Sequence, residues 1–171
     1  MLSRRTGSVL VAAVLLGWAT CRAETGAEGW LRYAPVVDAQ VKARYQELPD
    51  IVVSLDDSPQ AHSAQTELVR GITGMIGRQL RTEKTIPAEG AFVLGTVTEV
   101  KARFPNWKPA ASLKPEGLSI SMLRESGHAY WLIVGADTRG ILYGTFRMLQ
   151  EMAEQHDLTS VARTESPSAP V

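Results

Sequence analysis

Cysteine is almost missing from this chain of 171 residues: Cys21 stands alone. One thiol cannot form an internal disulfide, and it cannot build a thiolate metal site. Histidine is also sparse, with only His62, His128 and His156. None sits at metal-ligand spacing to another His, Asp or Glu, so locally bonded or solvated rings are expected. An excess of charge is absent too. Eighteen basic residues balance eighteen acidic ones. That balance excludes a nucleic-acid binder that relies on a basic field, and it excludes a charged disordered tail. G-x-S-x-G, H-E-x-x-H, G-x-G-x-x-G and the Walker lysine do not occur, which removes the common nucleophile, zinc and phosphate-loop chemistries. No metal or cofactor is expected.

What is present begins with an address. Arg4 and Arg5 precede Val9–Trp18, an apolar run of ten residues. This is too short to span a bilayer and suits the apolar region of a signal peptide. Cys21-Arg22-Ala23 places small residues at −3 and −1, so residues 1–23 are read as a signal peptide cleaved after Ala23. Trp18 and Thr20 do not fit a lipobox around Cys21. Cleavage would remove three arginines and the only cysteine, leaving 148 residues of net charge −3. The expected destination is the periplasm or the exterior.

The remainder reads as one domain over residues 24–163, followed by a Pro/Ser-rich linker, 164–171. Ile51–Leu55 is β-branched and predicts a strand. Ser58 then offers an N-cap with Pro59 at the first helical position. Leu68, Ile72, Ile76 and Leu80 recur at helical spacing over residues 61–80. Gly71, Gly74 and Gly77 weaken this helix, and close approach to a sheet would explain them. Ala91–Val97 predicts a second strand, with a short helical turn through Arg103. Leu118, Ile120 and Met122 alternate with serines, and Ala129–Gly135 is almost wholly apolar. Joined by Glu125–His128, these two form a hairpin. Asp137 caps a last helix whose buried face is expected at Leu142, Phe146, Leu149 and Met152. Strand, helix, strand, hairpin and helix imply an α+β class: a two-layer domain with a small, mostly antiparallel sheet packed against two main helices.

Candidate chemistry is thin. Asp56-Asp57 is an acidic pair beyond a strand end. Paired carboxylates can divide acid and base roles, but neighbours on an extended segment point apart, and helix entry uses the same residues. Trp107 lies in a loop between Pro105 and Pro109. It either anchors the loop by packing or stacks on a sugar ring, with Trp30 or Tyr33 as further platforms. Arg139 and Tyr143 fall in the first turn of the last helix, where packing is the default reading.

Gly135-Ala136-Asp137-Thr138-Arg139-Gly140-Ile141-Leu142-Tyr143-Gly144-Thr145-Phe146 resembles the strand-to-helix motif that closes the small α+β domain before the barrel in several glycoside hydrolase families, the β-hexosaminidases among them. Gly29-Trp30-Leu31-Arg32-Tyr33 narrows this. Together with Glu89–Thr96 and Gly127–Gly135, it resembles the N-terminal domain of the family 67 α-glucuronidases over about residues 28–166. The resemblance implies the N-terminal, non-catalytic part of an inverting enzyme. Such an enzyme removes 4-O-methyl-glucuronic acid from glucuronoxylan oligosaccharides during xylan degradation. It also implies a partner, a (β/α)8 barrel carrying the catalytic acid and base, expected to begin beyond residue 171. No catalytic residue of the family therefore maps onto this chain. A free-standing carbohydrate-binding module built on Trp107, and a small hydrolase built on Asp56-Asp57, are the alternatives.

Overall fold

The computed structural model describes residues 32–168. Residues 1–23, read above as a signal peptide, and Trp30 lie outside them. Asp38 opens the first helix, α1 (Ala39–Gln46), its carboxylate accepting the backbone N–H groups of Gln40 and Val41. There follow β1 (Ile51–Ser54), α2 (Pro59–Ile76), β2 (Arg81–Glu83), β3 (Ala91–Thr96) and α3 (Val97–Arg103). Then come β4 (Leu118–Glu125), β5 (His128–Gly135), α4 (Thr138–Ala153), a 3-10 turn (Leu158–Ser160) and β6 (Arg163–Glu165).

The strands form one sheet in the order β2-β1-β3-β5-β4-β6. The α+β class and the two main helices, α2 and α4, stand as expected. The mostly antiparallel sheet does not. Ladders β1–β2, β1–β3 and β3–β5 are parallel, and only β4–β5 and β4–β6 are antiparallel. The reason is connectivity. The α2 helix lies between β1 and β3, and a helical crossover returns the chain to the same end of the sheet. The hairpin is the antiparallel part. Ser126 and Gly127 both take positive φ, 51° and 86°, as a two-residue hairpin turn requires.

Alternate residues of each strand feed opposite faces. Val52, Phe92, Leu94, Trp131, Ile133 and Ile120 pack under α2 and α4. Val53, Val93, Tyr130, Leu132 and Val134 pack on the other face with Val100, Phe104 and Trp107. The second face is thus covered by α3 and its following loop. β3 and β5 carry the near-continuous apolar sequences of strands buried on both sides.

Ser58 and Pro59 start α2 as expected, the Ser58 hydroxyl accepting the Ala61 N–H at 3.2 Å. Gly77 ends it in the left-handed conformation, φ +72°. Gly71 and Gly74, however, do not face the sheet. A Cβ on Gly71 would lie 2.5 Å from a methyl of Leu149 in α4, and one on Gly74 would lie 3.2 Å from Tyr33. The glycines admit a neighbouring helix and the incoming chain. In α4 the buried stripe is Ile141, Gly144, Thr145, Met148, Leu149 and Met152, with Leu142 and Phe146 on its flank. Gly144 lies directly over Ile133, so the stripe centres on a glycine that a search for apolar side chains passes over.

The expected linker boundary at residue 164 falls inside β6, which pairs Arg163 with Ile120 and Glu165 with Leu118. A short polar segment becomes a strand here because α4 holds it. Glu151 is fully buried and accepts from Arg163 Nε at 2.7 Å and Nη2 at 3.3 Å. Arg147 lies 2.7 Å from the same carboxylate and His156 Nδ1 lies 2.6 Å from it. Arg147 also reaches Glu165 at 3.2 Å.

This packing generates three predictions. A Cβ on Gly140 would lie 2.3 Å from the Gly117 carbonyl oxygen, a backbone atom with no freedom to move aside. Gly140→Ala should cost about 3 kcal/mol in chemical denaturation. Gly127→Ala should cost about 1 kcal/mol, from its φ alone, because its surroundings are open. Burial works against the Glu151 carboxylate, but bonds from Arg163 and His156 and the charges of Arg147 and Arg163 together hold its carboxyl below the usual range. A depressed carboxyl stabilises the fold fully above the unfolded value, about 4.3, and loses that contribution as pH falls further. The melting temperature should therefore drop less steeply below that pH in Glu151→Gln than in the unaltered chain, from a lower starting value at neutrality.

Candidate functional site

Three parallel strands, β1, β3 and β5, end side by side, Ser54 opposite Leu94 and Thr96 opposite Gly135. Their carboxyl ends make one rim, the place where open α/β sheets commonly hold ligands. The chain turns into a helix after each strand, and an acidic residue manages each turn.

After β1, Asp56 accepts the Ser58 N–H at 2.7 Å, and its own carbonyl accepts the Ser54 hydroxyl. Asp57 points outward, fully exposed, and pairs with His62 at 2.9 Å. The two carboxylates diverge, and the acid–base reading of Asp56-Asp57 fails on that geometry. After β3, Glu99 Oε2 accepts both the N–H and the hydroxyl of Thr96, at 2.7 and 2.8 Å. This is a capping box at the start of α3. After β5, Asp137 accepts Gly140 N–H with one oxygen at 2.9 Å and Glu116 N–H with the other at 2.7 Å. Glu116 in turn binds Arg139 at 2.6 Å. Arg139 is therefore paired on the rim, and Tyr143 beyond it is 45% exposed.

Between α3 and the rim lies an open cleft of about 580 Å³. Its walls are Val97 and Lys101 of α3, residues 109–113, and Ala136 just past β5. Lys101 and Ser112 supply its only polar side chains. Glycoside hydrolysis needs two carboxyl groups across the scissile bond, and no carboxylate lines this space. Among the described residues, no group of three His, Cys, Asp or Glu is placed to hold a metal ion.

Trp107 is 5% exposed, packed in the second-face core, and its indole N–H donates to Ser121 Oγ at 3.0 Å. A ring with both faces covered cannot stack on a sugar, so the structure corrects that alternative in favour of the loop anchor. Tyr33 also packs: its ring meets Gly71, its hydroxyl donates to Glu67, and Arg70 lies 5.4 Å from its centre. His62 and His156 each bond a nearby carboxylate. The cleft itself escaped sequence reasoning. Its walls are Pro, Ala, Ser and Leu, which form no motif. The available signal was the Pro-bracketed, lysine-flanked run Lys108-Pro109-Ala110-Ala111-Ser112-Leu113-Lys114-Pro115.

The family model "Glycosyl hydrolase family 67 N-terminus" matches residues 29–148. "Alpha-glucuronidase A" of Emericella nidulans is 33% identical over 96% of this chain and 19% of its own length. "Alpha-glucuronidase" of Hypocrea jecorina is 32% identical over 87% of this chain and 18% of its own. "Probable alpha-glucuronidase A" of Aspergillus terreus is 34% identical over 90% and 18%. The chain thus spans less than a fifth of the curated relatives it matches. A family-model match over most of its length makes this chain a member of glycosyl hydrolase family 67, corresponding to that family's N-terminal domain.

Proposed function

We propose that this chain is the non-catalytic N-terminal domain of an α-glucuronidase that releases 4-O-methyl-glucuronic acid from glucuronoxylan oligosaccharides. The observation that carries the reading is the fate of the rim acids. Asp56, Glu99 and Asp137 each accept backbone N–H groups that begin a helix or close a turn. A carboxylate committed to such bonds is fixed in place by its own backbone and turned away from any substrate, which suits structure and not proton transfer. The role is then to support a larger polypeptide, a (β/α)8 barrel that supplies the acid and base. Residues 1–23 would direct export to the periplasm or the exterior.

Two measurements test this. Purified chain incubated with aldouronic acids should release no methylglucuronic acid, whereas intact Hypocrea jecorina enzyme in parallel should. Release by the chain, lost in Asp57→Asn, would instead establish a catalytic domain. Amino-terminal sequencing of the protein from its source cells should begin at Glu24. A start at Met1 would refute export through this segment.

A further inference from the structure

We propose that the rim cleft between α3 and residues 109–113 is the docking surface for the remainder of the α-glucuronidase polypeptide. This rests on the reading above and adds where the partner sits and what its face carries.

The course of the chain is the first argument. β6 runs antiparallel to β4, from Arg163 opposite Ile120 to Glu165 opposite Leu118. Leu118 lies opposite Gly135, the last residue of β5. The chain therefore travels toward the rim as it leaves the sheet. It is fastened there: Ser166 Oγ accepts the Lys114 N–H at 3.2 Å, on the loop that walls the cleft. The Gly117 carbonyl of the same loop accepts the Ala136 N–H at 2.8 Å, beside the cleft floor. In the relatives more than four-fifths of the chain lies outside the matched part.

The chemistry of the cleft is the second argument. Sugar sites combine aromatic platforms with convergent hydrogen-bonding side chains. This cleft sets Val97, Pro109, Ala110, Ala111 and Leu113 among exposed polar atoms of its loop, Lys101 and Ser112, and has no aromatic wall. A protein surface that brings its own hydrogen-bonding groups fits it better. Charge gives the partner a sign. Of the five lysines in the chain, Lys101 lines the cleft and Lys108 and Lys114 flank its loop. All three are exposed, and no carboxylate of the described residues pairs with them. The partner face is accordingly a polar one carrying Asp and Glu, since complementary charge sets the register of such contacts.

The test is a chimera in which this chain replaces the matching N-terminal fifth of Emericella nidulans α-glucuronidase A. Lysine acetylation, read by mass spectrometry, is compared between the free chain and the chimera. Lys101, Lys108 and Lys114 should become several-fold less reactive in the chimera, while Lys42 and Lys84 stay unchanged. Ala110→Asp with Leu113→Asp should leave the melting of the free chain in place. In the chimera the pair should abolish the protection and split one melting transition into two. A chimera that melts as one unit with all five lysines as reactive as in the free chain would overturn the rim placement and leave the domain reading standing. Two independent transitions in the unaltered chimera would overturn both. Protection of the free chain's rim lysines by aldouronic acids alone would make the cleft a sugar site and overturn the docking proposal.

Discussion

The arrangement depends on one close approach of backbones. Gly140, in the first turn of α4, lies where a Cβ would meet both the Gly117 carbonyl and the Cα of Gly135. Three glycines from a loop, a strand end and a helix start therefore share one small volume. This contact brings α4 down onto the sheet, with Gly144 over Ile133 one turn later. It also presses the Lys114–Gly117 turn against the end of β5, where Gly117 accepts the Ala136 N–H. The rim, its cleft and the exit of the chain all follow from it. Side chains larger than hydrogen would separate the layers and open all three.

Acidic residues secure this frame. Asp38, Asp56, Glu99 and Asp137 accept backbone N–H groups at four helix or turn entries. Each cap satisfies donors that a helix leaves orphaned, and a carboxylate is also favoured by the helix dipole. Glu151 does different work. Buried and bound by Arg163, Arg147 and His156, it ties a helix to an edge strand that has only three residues of its own. A ladder that short is weak without side-chain support. Of the Asp56-Asp57 pair, Asp56 is thus part of the scaffold while Asp57 stands exposed beside His62.

The legible parts of the sequence were those with local causes. The β4–β5 hairpin was visible in its alternation, and the Ser58-Pro59 and Asp137 helix starts in their capping residues. The hidden parts had non-local causes. α1 carries only Val41 and Tyr45 on its buried side, and β2 reads Arg-Thr-Glu, so neither shows a period. β6 becomes a strand through Glu151, twelve residues away and on a helix. The parallel ladders arise from a crossover, which local pattern does not display. Gly71 and Gly74 were visible as close contacts, yet their partners, Leu149 and Tyr33, come from opposite ends of the domain. The cleft was invisible because Ala, Pro and Ser line it, and such residues reveal a surface only once the loop is placed.

The two ends of α4 therefore carry separate duties. Its amino end, at Asp137, Arg139 and Gly140, shapes the rim. Its carboxyl half, through Arg147 and Glu151, fixes the strand that carries the chain to that rim. Both are set along one rigid element, so the exit point and the cleft keep a constant relation to each other. A flexible tether would leave an attached body free to sample many orientations, because domains joined by small interfaces move by default. Here β6, anchored by the Glu151 carboxylate and the Ser166–Lys114 bond, fixes the point from which an attached domain would depart. With the docking proposed above, less orientational entropy would then remain to be lost, and a cleft of modest size would suffice to set one register.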